Sequence, residues 1–127
     1  MYREKRIWSN AKRKTYNGYT YDSGFEANEA YKLDMLQKAG EILNWERQVN
    51  LSLEVNGYKV CDYKIDFIVT HNDGLIEYIE CKGIAFPAWR IKFKLFEALY
   101  CEKPNVKITV VKQKNNWNMR KLKKVEK

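Results

Sequence analysis

Apolar positions follow two periods along the chain, and each change of period marks an element. Over 24–39, Ala30, Leu33 and Leu36 recur at helical spacing. Ser23 and Glu26 fit a capping box at the start of this stretch, and Gly40 ends it. Three β-rich segments follow, at 48–55, 58–70 and 75–82. At about 100° per residue, Trp89, Phe93, Phe96, Leu99 and Tyr100 then line one stripe of a second helix, 88–102. Pro87 opens that helix and Pro104 closes it off. A last strand, VKITVVK, is predicted at 106–112. Near the N-terminus, Asn17-Gly18 between Thr15-Tyr16 and Tyr19-Thr20 signals a tight hairpin. The order hairpin, helix, three strands, helix, strand predicts an α/β fold with one mixed sheet flanked by helices. No internal repeat or linker divides residues 1–127.

The loop between the second and third of the three strands fixes a register. Thr70-His71-Asn72-Asp73-Gly74-Leu75 allows a two-residue Asp-Gly turn or a three-residue Asn-Asp-Gly loop with Gly74 in the left-handed position. The longer loop sets His71 against Leu75 and Asp66 directly opposite Glu80. The shorter turn would oppose Asp66 with Cys81, and a slip of one residue sends side chains to the other face. Only the three-residue loop gathers acids. On IEYIECKG, Glu80 and Lys82 point to the same face. The longer loop therefore places Asp66, Glu80 and Lys82 on one patch.

Composition narrows the function classes. The 127 residues carry a net charge of +8 and are 45% hydrophobic, enough for one folded core. No apolar run reaches the ~18 residues of a membrane helix. The N-terminal MYREKRIWSNAKRK lacks the apolar centre of a signal peptide, which predicts a cytoplasmic protein. Cys61, Cys81 and Cys101 form no CxxC pair and with the single His71 make a poor zinc set, so they read as buried inert thiols. Charge is concentrated at the ends. Residues 1–14 hold six basic residues (Lys12, Arg13 and Lys14 among them) against Glu4. Residues 114–127 hold six (Arg120 and Lys121 among them) against Glu126. Each arm is therefore +5, and the body between them is −2. Basic arms suit a polyanion, since each Lys or Arg on a phosphate releases counterions; solubilising charge is the plainer alternative.

Two carboxylates facing one another repel unless a cation lies between them. Mg²⁺ takes a few carboxylates and keeps waters. Such an ion acts as a Lewis acid on a phosphoryl oxygen and lowers the pKa of bound water. Lys82 beside it can orient that water or stabilise charge on the phosphate. Acid, acid, lysine and metal make a phosphodiester hydrolysis site.

These residues also carry a resemblance. Glu26 on the first helix, Ile65-Asp66 and Glu80-Cys81-Lys82 look like the PD-(D/E)XK nuclease superfamily, and the order of elements from 24 to 112 matches its core. The stretches YDSGFEANEAYKL, AGEILNWERQV, YKIDFIV and ECKG resemble small phage and prophage endonucleases. Some of those are related to Holliday-junction resolvases and to the endonuclease subunit of heteromeric transposases. The resemblance implies a restriction-endonuclease-like core and a Mg²⁺ cofactor that Mn²⁺ can replace. It implies metal ligation by Asp66, Glu80 and the Cys81 backbone carbonyl, with Glu26 completing the site through water. Lys82 matches the catalytic lysine. Ile65 stands where the motif's name has proline, a common departure.

Each residue has a plainer reading. Glu26 fits the helix cap as well as a ligand. The Glu80/Lys82 pair fits a surface ion pair worth ~0.5 kcal/mol. Asp66 lies among Ile65, Phe67, Ile68 and Val69, where an unpartnered carboxylate is rare. Asp62 reads as a solvent-facing acid on the strand face of Asp66, and His71 as a turn residue. Lys92 falls inside the apolar stripe, either snorkelling to its edge or reaching back to a scissile phosphate, while Arg90 and Lys94 fall outside it. Together these features predict a Mg²⁺-dependent DNA endonuclease of phage or mobile-element type, selective for branched DNA, with a homodimer cutting two strands. A sequence-preferring homing or restriction-type endonuclease and a non-catalytic nucleic-acid-binding module remain the alternatives.

Overall fold

The computed structural model describes residues 14–16, 19–21, 24–82, 86–112 and 125. A two-stranded hairpin, β1 (Lys14–Tyr16) and β2 (Tyr19–Tyr21), precedes helix α1 (Gly24–Lys38). β1 and β2 pair Tyr16 with Tyr19, as the Asn-Gly signal predicts, although Asn17-Gly18 and the capping residue Ser23 lie outside the described residues. Gly40, at φ +77°, lets the chain leave α1. The Glu41 amide donates to the Leu36 carbonyl and the Gly40 amide to the Gln37 carbonyl, the paired bonds of a Schellman ending.

Four strands then form one mixed sheet in the order β3 (Ile42–Val55), β4 (Tyr58–His71), β5 (Ile76–Lys82), β6 (Val106–Lys112). β3, β4 and β5 are antiparallel neighbours, and β6 lies parallel to β5 after the crossover helix α2 (Pro87–Tyr100). The architecture is mixed α/β. β3 begins at Ile42, six residues before the predicted start at 48. It is an edge strand, and the exposed Leu43, Asn44 and Glu46 broke the apolar pattern there. No helix among the described residues is long and apolar enough to cross a membrane.

The two helices cover opposite faces. Ala27, Ala30 and Leu33 of α1 pack on Phe67, Val69, Ile79 and Cys81. Trp89, Phe93 and Phe96 of α2 pack on Leu53, Tyr63 and Ile65, with Tyr78, Ile108 and Val110 beside them. Successive residues of β5 serve opposite sides, as a strand between two layers requires. Of the three thiols only Cys81 is buried; Cys101 is exposed just past α2, which corrects the expectation of three buried cysteines.

On β4 the alternation breaks. Tyr63 and Ile65 face α2, yet Phe67 and Val69, of the same parity, face α1. β3 turns over at the same level. Trp45 packs on the α1 side and Val49, Leu51 and Leu53 on the α2 side, while Gln48 takes a left-handed φ of +47°. The cause lies in the third strand. The β4–β5 ladder ends at Phe67↔Ile79, so the rest of the β3–β4 hairpin is a two-stranded ribbon, which twists more than a wider sheet. Asp66 stands at that change.

Candidate active site

The loop chemistry sets the register. His71 donates its amide to the Leu75 carbonyl, Gly74 donates to His71, and Gly74 lies at φ +91°. The pairs Phe67↔Ile79, Ile68↔Tyr78, Val69↔Glu77 and Thr70↔Ile76 are those of the three-residue loop. One more step along this register would oppose Asp66 and Glu80. Instead the ladder stops, and Asp66 Oδ2 accepts the Cys81 amide at 2.8 Å. The carboxylate takes the backbone partner's place where the two strands part.

Three carboxyl groups meet at this fork. Glu26, in the first turn of α1, is 8% exposed and shares a side-chain hydrogen bond with Asp66; Glu80 is 3% exposed and hydrogen-bonds to Asp66 as well. Burial, then the charge of Glu80, pushes Asp66 up to about 7. Burial also raises Glu80, against the pull of Lys82 and the Tyr63 hydroxyl. Carboxyl groups hydrogen-bond to one another only through a proton. At about 7, the Asp66 carboxyl is partly protonated near neutrality.

Lys82 supplies the positive charge. Its Nζ lies 3.6 Å from Glu80 Oε2 and 4.4 Å from the centroid of the Trp89 ring. On the other Glu80 oxygen, Oε1, the Tyr63 hydroxyl donates a hydrogen bond of 2.6 Å. Sequence reasoning passed over both aromatic residues. The signal for Tyr63 was a phenol in a buried strand, whose hydroxyl needs a partner. The face switch at Asp66 then brings it to Glu80, which constant alternation does not foresee. Trp89 read only as a member of the apolar stripe.

The donor set is hard oxygen throughout. Among the described residues no group of three or more His, Cys, Asp and Glu side chains is placed to hold a metal ion. Mg²⁺ asks for only one or two carboxylates and fills its shell with water. A buried carboxyl whose pKa is raised by burial and by a neighbouring carboxylate is where such a cation displaces a proton. Asp66 and Glu80 therefore match the ion's preference for a few oxygen donors.

The family model described as a protein of unknown function, DUF1064, matches residues 6–124. The chain belongs to the DUF1064 family. No curated protein and no solved structure matches it. The DUF1064 match spans Glu26, Asp66, Glu80, Lys82, Tyr63 and Trp89 alike.

Other predicted site residues lie apart from the cluster. Arg90, Lys92 and Lys94 are exposed on α2. The charge of Lys92 acts on Asp62, which is itself exposed and paired with Lys59 at 2.8 Å. Lys14 belongs to β1, while Lys12, Arg13, Arg120 and Lys121 lie outside the described residues. His71 is more than a turn residue: its Nε2 lies 2.8 Å from Glu77 Oε1, and the Thr109 hydroxyl donates to Glu77 Oε2 at 2.6 Å.

Proposed function

We propose that this protein is a Mg²⁺-dependent endonuclease that hydrolyses DNA, with a core of the restriction-endonuclease type and a PD-(D/E)XK site. The observation that carries the reading is the meeting of Glu26, Asp66, Glu80 and Lys82, from one helix and two strands, at the point where β4 and β5 part. A structural role explains such a meeting poorly, because burying mutually repelling carboxyl groups costs stability.

Asp66 and Glu80 would hold the ion, with the Cys81 carbonyl and a water-borne contact from Glu26. A bound Mg²⁺ would supply a Lewis acid for a phosphoryl oxygen and a more nucleophilic water. Lys82 stays beside Glu80, its ammonium held over Trp89 and a fifth of its side chain open to solvent. From there it stabilises charge that grows on the attacked phosphate and orients the attacking water. The raised pKa of Asp66 would link metal binding to loss of its proton.

α2 starts at Pro87, five residues beyond Lys82, and presents Arg90, Lys92 and Lys94 to solvent. That face and the basic arms at 1–14 and 114–127 would neutralise the DNA backbone. One site per chain and two strands to cut imply a homodimer on duplex substrates. We assign the enzyme to the phage or mobile-element type, with branched DNA as its preferred substrate.

The test is incubation with supercoiled plasmid, linear duplex and a four-way junction, each with Mg²⁺ or EDTA. Cleavage in Mg²⁺ alone, fastest on the junction, is the expected result. Cleavage of duplex at defined sites would point instead to a sequence-preferring endonuclease. Metal-independent binding without cutting would make the protein a nucleic-acid-binding module.

A further inference from the structure

We infer that Tyr63 and Trp89 are positioning residues for the Glu80–Lys82 pair: Tyr63 fixes the metal-binding carboxylate, and Trp89 fixes the lysine. This inference rests on the endonuclease reading of the site.

The geometry divides Glu80 between two partners. Oε1 accepts the Tyr63 hydroxyl at 2.6 Å, and Oε2 lies 3.6 Å from Lys82 Nζ. A carboxylate held at one oxygen keeps a single rotamer and presents the other, so no ordering is needed when an ion binds. Partners of this kind behind a metal ligand typically matter about 10–100-fold in metal affinity or activity.

Packing alone does not call for the hydroxyl. The Tyr63 ring lies against Phe93 and Phe96, at centroid distances of 6.2 and 5.2 Å, and is 3% exposed. A phenylalanine would fill that place among its aromatic neighbours. The hydroxyl donates at 2.6 Å to a buried carboxylate, and the Trp89 indole acts on the same phenol.

Trp89 does for Lys82 what Tyr63 does for Glu80. Its indole is 8% exposed, is stacked on Phe93 at 5.0 Å and carries the ammonium 4.4 Å above the ring centroid. Stacking fixes the ring, and the ring's negative face fixes the charge. Tyr63, Phe93 and Trp89 thus form one aromatic wall joining β4 to α2. Through it the crossover helix sets the spacing between carboxylate and lysine.

The two halves separate in kinetics. Tyr63→Phe and Trp89→Phe in the full chain are compared with wild type in two measurements. One is thermal stabilisation titrated with Mn²⁺ in the absence of DNA, and the other is plasmid cleavage titrated with Mg²⁺. Tyr63→Phe should raise the Mn²⁺ midpoint and the Mg²⁺ half-saturation roughly tenfold, with the rate at saturating metal within about twofold of wild type. Trp89→Phe should leave both metal midpoints in place and lower the saturated rate roughly fivefold, because a benzene ring holds a cation less well than an indole. Wild-type metal midpoints in Tyr63→Phe together with a wild-type rate in Trp89→Phe overturn the inference while leaving the nuclease standing. Loss of folding in Tyr63→Phe also counts against it, since the hydroxyl would then be a structural bond. If wild type neither responds to Mn²⁺ nor cuts, the endonuclease reading itself fails.

Discussion

In EDTA the folded protein should lose stability as pH rises from 4 to 8, and Asp66 is one source of the loss. Burial and the charge of Glu80 hold Asp66 at about 7 in the folded state, against an ordinary 3.8. Between those values the folded protein binds a proton that the unfolded chain has already released. The favourable contribution is therefore complete below pH 4, falls through the window and is gone above about pH 7. A shift from 3.8 to about 7 corresponds to roughly 4 kcal/mol at most. Glu80, also raised, slopes the same way. For a chain of this length, 4 kcal/mol is roughly 12 °C in Tm.

Asp66→Asn isolates the effect. Asparagine keeps the shape, can accept the Cys81 amide and can donate to Glu26, but it does not titrate. At pH 4 the variant and wild type should melt within a few degrees of each other. By pH 8 the variant should be the more stable by roughly 10 °C in EDTA. Mg²⁺ should then raise the wild-type Tm at pH 8 and leave the variant unmoved, since only the native carboxylate binds the ion. The assay is thermal denaturation followed by circular dichroism in half-unit pH steps. Parallel curves for the two proteins, or a wild-type Tm that gains on the variant with rising pH, would refute the reasoning.

Three further outcomes can be checked together. Glu26→Gln should cut at least tenfold more slowly while its metal-free Tm hardly changes, because glutamine keeps the size and hydrogen-bonding capacity but offers the metal no charge; the rate and the melt read the two effects separately. Lys82→Met should keep metal-induced stabilisation and DNA binding yet lose hydrolysis, as gel shift in Ca²⁺ and plasmid cleavage in Mg²⁺ would reveal. Deleting residues 1–10 removes Arg3, Lys5 and Arg6. If all three contact phosphates, the slope of log affinity against log salt should flatten by about 2–3, with little change in the rate at saturating DNA.

Much of the fold was legible because it rests on local signals. The loop after β4 allowed two registers, and the one that brings the acids together is the one the structure takes, with Gly74 in the left-handed conformation. Pro87 and the five-residue apolar stripe located α2, and VKITVVK gave β6 to the residue. What the sequence concealed depends on neighbours distant in the chain. The first six residues of β3 alternate weakly because an edge strand needs only partial cover. The turnover of β4 at Asp66 arises where β5 stops pairing, and strict alternation along one strand contains no trace of it. Asp66 therefore meets Glu80 by filling the end of the ladder and not as a paired neighbour within it. Tyr63 and Trp89 belong to the site for the same reason. Their roles come from the packing of α2 on the turned-over hairpin, while their spacing in the chain reads as plain core.

The central claim is that Asp66 and Glu80 hold a catalytic metal ion. Nicking of supercoiled plasmid by wild type and by Glu80→Gln, each in Mg²⁺ and in EDTA, tests it most directly. Glutamine preserves the Tyr63 contact and removes the charge. The account predicts nicking by wild type in Mg²⁺ and none in the other three conditions, with all proteins folded. Nicking by Glu80→Gln at a rate near wild type, or by wild type in EDTA, would contradict it.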